Sequence, residues 1–80
     1  MKEVKAKIIE AVNMGCSYVI GRGNDKLEIG VAYKNYQDNP EKFAYKASFY
    51  SNGHIWWCEN GIRLKQAIMH VEAFNNGDYD

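Results

Sequence analysis

The first apolar stripe of the chain recurs at helical spacing between Lys2 and Met14 and predicts an amphipathic helix. Gly15 follows at the position where a helix C-terminus favours glycine. Lysines alternate with apolar residues over positions 2 to 8, so a short N-terminal strand is the competing interpretation. The stripe consists of Val4, Ile8, Ala11 and Val12.

Two segments rich in β-forming residues, 17–22 and 26–34, come next and flank a turn-prone cluster. With Asn24-Asp25 as a two-residue turn, they form an antiparallel hairpin with its larger apolar side chains on one face. The opposite face then carries mostly small or polar residues. The predicted pairs are Arg22 with Leu27, Ile20 with Ile29, and Tyr18 with Val31.

A second hairpin is predicted for residues 42–51 and 54–59, on either side of Asn52-Gly53. This dipeptide best tolerates the positive φ angles of a type I′ turn. One face of the hairpin then pairs Phe49 with Trp56 and Ala47 with Cys58. The other face pairs Tyr50 with Ile55, Ser48 with Trp57, and Lys46 with Glu59. In this register Trp56 faces the core and Trp57 faces away from it.

The chain closes with a second amphipathic helix, predicted from Gly61 to Phe74 with Asn60 as its N-cap. Its apolar stripe is Leu64, Ala67, Ile68, Val71 and Phe74. Residues 35–41 are polar and contain the single proline, which predicts a loop, and the polar tail 75–80 is expected to fray.

These elements predict an α+β fold in the order α-β-β-β-β-α. Both helices are expected on one face of a four-stranded antiparallel sheet made of two hairpins. Eighty residues have room for one domain, which we assign to residues 1–80.

Composition narrows the class of protein. Ten basic residues balance ten acidic ones, which argues against broad nucleic-acid binding. Two cysteines and the lack of a secretory leader pattern favour a reducing, cytoplasmic location. The apolar runs are far shorter than the ~20 residues that cross a bilayer, so no membrane association is expected.

Candidate chemistry is sparse in this sequence. Cys16, His54, Cys58 and His70 could together supply zinc ligands, but their spacing matches no zinc module. Cys58 beside a histidine could make a nucleophile, yet the predicted register buries this thiol with Phe49 and Trp56. We therefore expect no catalytic centre, metal or cofactor, and a protein that is not an enzyme.

Aromatic residues are the remaining signal, because two helices cover only one face of a sheet. The predicted register leaves Tyr50, Ile55 and Trp57 on the other face, flanked by Lys46 and Glu59. Exposed aromatic surface is typical of binding sites.

This predicted surface suggests a binding protein that contacts a protein partner or a second copy of itself. A small inhibitor or adaptor of the kind encoded by phages and mobile elements fits that description. The alternative is a single-stranded nucleic-acid or nucleotide-binding module that stacks bases on the same face.

Overall fold

The computed structural model describes residues 2–35 and 38–77 and confirms the predicted fold class. Four antiparallel strands form one sheet in the order β1-β2-β3-β4, between an N-terminal and a C-terminal helix. The elements are α1 (Lys2–Asn13), β1 (Tyr18–Arg22), β2 (Asp25–Tyr33), a 3₁₀ helix (Pro40–Lys42), β3 (Ala44–Ser51), β4 (His54–Ile62) and α2 (Leu64–Asn75).

The N-terminal segment is helical over Lys2–Asn13, so the competing strand interpretation is wrong. The helix buries its apolar stripe and ends in a Schellman motif. Gly15 has φ +76° and donates its N–H to the Val12 carbonyl at 3.1 Å. The Cys16 N–H donates to the Ala11 carbonyl at 2.9 Å. These two bonds satisfy carbonyl groups that the helix end leaves without partners.

The first hairpin turns one residue earlier than predicted, at Gly23-Asn24. Arg22 pairs with Asp25 and Tyr18 with Ile29, so the predicted register is wrong by two residues. Gly23 has φ +63° and takes the first central position, the place that glycine occupies in a type II′ turn. Because side chains alternate with period two, the shift leaves the predicted faces unchanged.

The second hairpin turns at Asn52-Gly53 as predicted, with φ angles of 54° and 81°. Tyr50 pairs with Ile55, also as predicted. Beyond that pair the predicted register is wrong, because Trp56 is an extra residue in a β-bulge and Phe49 pairs with Trp57. The turn therefore determines the register only up to the bulge.

A second irregularity lengthens β4 beyond its predicted end. Gly61, with φ +76°, lies between two paired positions of β4 and the strand continues to Ile62. Asn60 is therefore a strand residue, and its predicted role as N-cap is wrong. Helix α2 begins instead after Arg63, whose backbone N–H donates to Gln66 Oε1 at 2.9 Å.

Both helices pack on the same face of the sheet and enclose one hydrophobic core. Its members come from both helices, from β2, β3 and the end of β4, and from the residue just before β3. They are Val4, Ile8, Val12, Leu27, Ile29, Phe43, Tyr45, Ala47, Phe49, Ile62, Leu64, Ala67, Val71 and Phe74. We call this covered side of the sheet the helix face and the other side the open face.

The loop predicted for residues 35–41 is partly described. A short 3₁₀ helix begins at Pro40, and Asn39 caps it by accepting the Glu41 N–H at 3.1 Å. Glu41 also pairs with Lys5 of α1, and this contact lowers the pKa of the Glu41 carboxyl. Residues 36 and 37 of the loop and residues 78–80 of the predicted frayed tail lie outside the described residues.

Tyr45 is a fully buried phenol in the centre of the core. Its hydroxyl donates to the Pro40 carbonyl at 2.7 Å, so it ties β3 to the 3₁₀ helix. Burial, with a smaller contribution from the Glu41 charge, raises the pKa of Tyr45 from 10.0 to about 12. The folded protein therefore holds this phenol neutral over a pH range in which an exposed tyrosine ionises.

This pKa predicts an alkaline loss of stability that depends on Tyr45. The unfolded chain ionises the phenol near pH 10 while the folded chain does not, so the free energy of unfolding falls between about pH 10 and pH 12. At neutral pH, Tyr45→Phe should cost about 1 kcal/mol through the lost hydrogen bond. Denaturant titrations should show this difference shrinking or reversing near pH 11. If the difference in the free energy of unfolding between the wild type and Tyr45→Phe stayed the same from neutral pH to about pH 11, the raised pKa of Tyr45 would be contradicted.

Candidate binding surface

The open face of the sheet carries Lys46 and Tyr50 of β3 and Ile55 of β4, as the sequence predicted. Lys46 is exposed, and Tyr50 lies directly opposite Ile55 across the hairpin. Ser48, between them on β3, is buried and donates its hydroxyl to Cys58 Sγ at 3.6 Å. The hydrogen bond between Ser48 and Cys58 therefore occupies the centre of the open face, and Tyr50 and Ile55 lie nearer the Asn52-Gly53 turn.

Tyr50 is held in place from β2. The Lys26 Nζ lies 4.5 Å from the centre of its ring, in cation–π contact. The Tyr50 hydroxyl donates to Glu28 Oε1 at 3.4 Å. A lysine and a glutamate on the neighbouring strand thus fix both the ring and the hydroxyl of Tyr50.

Ile55 and Trp56 are the most prominent apolar residues at this end of the sheet, with 55% and 68% of their surface exposed. Trp56 occupies the β-bulge directly after Ile55, on an edge strand. We refer to Tyr50, Ile55 and Trp56 as the hairpin patch. Sequence reasoning assigned Trp56 to the core, because an alternating pattern does not indicate where a bulge lies.

Trp57 lies on the helix face, which contradicts its predicted place on the open face. Its ring stacks on Phe49 with centroids 6.0 Å apart and planes 15° apart. The ring also lies 5.1 Å from the imidazole of His70 in α2. The bulge at Trp56 causes this exchange, because one extra residue reverses the faces of the side chains that follow it, up to the second irregularity at Gly61.

Glu59 moves to the helix face with Trp57, so its predicted pairing with Lys46 is also wrong. Lys46 pairs with Asn60, and Glu59 pairs with Ala47. The Glu59 Oε1 lies 2.8 Å from His70 Nε2. Trp57 and Glu59 thus connect β4 to α2 and serve the fold rather than the predicted surface.

The open face continues onto β1 and the turns. Val19 of β1 is 47% exposed there, and Gly21 adds no side chain. A shallow depression of about 460 Å³ runs from these two residues past Lys26 to Tyr50 and Gly53. The hairpin patch therefore adjoins a concave surface that crosses the sheet at its turn end.

Within residues 2–35 and 38–77, no group of three or more His, Cys, Asp or Glu side chains is placed to hold a metal ion. Cys16 and Cys58 are both free and exposed, so the predicted burial of Cys58 is wrong. Cys58 follows the bulge and shares the open face with its partner Ser48. Neither helix in the described part of the chain is long and apolar enough to cross a membrane.

Comparison of the chain with models of protein families, with curated proteins and with solved structures finds no match. The function is therefore inferred from the physical properties of the surface.

Proposed function

We propose that this protein is a non-enzymatic binding protein that contacts a protein partner through the hairpin patch. The observation that supports this most directly is that Ile55, directly opposite Tyr50, and the adjacent Trp56 are both more than half exposed. A small inhibitor or adaptor is the kind of protein that such a surface suits.

Energetics favour a role for these side chains in association. Exposed apolar surface gains about 25 cal/mol for each Å² that a partner removes from water. Tryptophan and tyrosine are enriched among the residues that dominate binding energy. Ile55 and Trp56 lie on a hairpin with a type I′ turn, so a partner would meet a backbone that is already formed, and the ordering cost would fall on the side chains alone.

A protein partner fits this patch better than stacked bases do. Lys26 occupies one face of the Tyr50 ring, and base stacking requires a free face. The chain as a whole carries equal numbers of acidic and basic residues, so it has little long-range attraction for a polyanion. Lys26 and Glu28 place one charge of each sign beside Tyr50, and such a mixed polar rim suits a protein partner better than a polyanion.

The test is affinity capture from the native host with the wild-type chain and with Trp56→Ala as bait. Loss of a central anchor should weaken binding by about 2 kcal/mol, or roughly thirtyfold in Kd. Met69→Ala is the matched control, because Met69 is 57% exposed on α2 and lies outside the hairpin patch. The control should bind as the wild type does.

Two results would contradict the proposal. One is a partner that the wild type and Trp56→Ala bind with equal affinity, measured on the purified pair. The other is strong binding of a single-stranded oligonucleotide that falls steeply with salt and requires Trp56, which would assign the patch to nucleic acid instead.

A further inference from the structure

The two edges of the sheet differ in their capacity to accept another strand. Edge strand β4 is interrupted by bulges at Trp56 and Gly61, and bulges discourage pairing at an edge. Edge strand β1 is regular, and each residue from Tyr18 to Arg22 pairs with β2 without interruption. It also lacks proline and has one charged residue, Arg22. The β1 edge is therefore the one suited to strand addition.

The hairpin register shows which backbone groups of β1 face outward. Arg22 and Asp25 flank the two-residue turn and exchange hydrogen bonds across it. Antiparallel pairs alternate between bonded and non-bonded, so Ile20 and Tyr18 also bond to β2. The peptide groups of Val19 and Gly21 therefore point away from the sheet. Each of these two residues offers an outward donor and an outward acceptor.

We propose that β1 pairs with β1 of a second copy of this chain, antiparallel about a twofold axis at Ile20. This register pairs the whole of β1 with itself. It places Val19 opposite the second copy's Gly21 and Gly21 opposite the second copy's Val19. Because these are the residues with outward peptide groups, both pairs are hydrogen-bonded, and all of the outward groups are satisfied.

The side chains of β1 are self-complementary in this register. On the open face the exposed Val19 lies against the small Gly21 of the other copy. On the helix face Ile20, already half-buried against the core, meets its own counterpart and extends the apolar layer. Arg22 also lies on the helix face, where its guanidinium donates to the Phe74 carbonyl at 3.4 Å. In the dimer it lies opposite Tyr18 of the second copy, an aromatic ring suited to a cation–π contact.

The resulting dimer has one continuous eight-stranded sheet, and the open faces of both copies lie on the same side. The hairpin patch is on β3 and β4, away from the new interface, so it stays accessible in both copies. This inference rests on the backbone of β1 and does not depend on the proposed function of the patch.

The test is sedimentation velocity over a range of concentrations with the wild type and two double variants. Val19→Lys with Gly21→Lys puts like charges opposite each other in both pairs, and should raise the dimer dissociation constant at least about tenfold. Val19→Lys with Gly21→Glu puts opposite charges in the same positions and should restore the dimer. Gly21 tolerates a side chain, since its φ is not positive and a Cβ there meets only the Asp25 carbonyl at 3.7 Å.

Amide exchange of the wild type gives a second measurement that needs no variant. The Val19 and Gly21 amides should become protected as protein concentration rises, while those of Ile20 and Arg22 are protected throughout. A wild type that stays monomeric at high concentration would overturn the proposal. So would a dimer that the lysine pair leaves unchanged, or one in which the Val19 and Gly21 amides exchange freely.

Discussion

Replacement of Trp57 by alanine should destabilise the fold by about 3 kcal/mol, at the lower end of the range for tryptophan truncations because the ring is half-buried. The ring stacks on Phe49 and contacts His70, so its loss opens a gap between β4 and α2. His70 would also lose the ring contact that helps to place it beside Glu59. Urea denaturation followed by circular dichroism measures the change in the free energy of unfolding.

Trp56→Ala is the natural control for that experiment, because the two tryptophans are adjacent in sequence. Trp56 is 68% exposed, and its removal should change the free energy of unfolding by less than about 1 kcal/mol. Equal destabilisation by the two variants would show that both rings pack in the core. A larger loss of stability in Trp56→Ala than in Trp57→Ala would support the predicted pairing of Phe49 with Trp56 and would contradict the bulge.

Replacement of Phe74 by alanine should cost about 3 to 5 kcal/mol. This ring is 4% exposed in the last turn of α2 and meets Phe49 edge to face, with centroids 6.2 Å apart. It anchors the C-terminal end of the helix to the sheet. Thermal and urea denaturation should both show the loss.

Met69→Ala on the same helix serves as the control for Phe74→Ala. Both changes shorten a large side chain in α2, but Met69 is 57% exposed and should change stability by no more than about 0.5 kcal/mol. If Phe74→Ala were as mild as Met69→Ala, α2 would not be held to the sheet by its C-terminal turn, and the described packing would be wrong.

Periodicity predicted the elements and their order because each amphipathic stripe has one way to be buried. The stripe from Val4 to Val12 favours a helix over the alternation of positions 2 to 8, and the apolar positions of β2 and β3 favour a shared face. Asn52-Gly53 located the second turn, since few dipeptides accept two positive φ angles. The fold class was therefore accessible from local patterns alone.

The candidate binding surface was only half predictable, because bulges depend on packing across the whole sheet. Strict alternation from the turn places Trp56 against Phe49 and Trp57 on the opposite face. The structure selects Trp57, which reaches both Phe49 and His70 of α2. His70 is distant in sequence, so no pattern within the hairpin reveals this contact. Lys46, Tyr50 and Ile55 all precede the bulge in the chain, and their predicted face is correct.

The strand order also has a consequence for how fast the chain folds. Every strand pairs only with its neighbours in sequence, so the sheet can grow by successive hairpin closure, with short loops and little entropy lost at each step. The slow step should instead be the docking of α2. Its buried residues from Leu64 to Phe74 cover β2 and β3, which lie far from α2 in the sequence. A ribosome-bound chain would therefore hold an apolar sheet face covered only by α1 until α2 emerged from the exit tunnel.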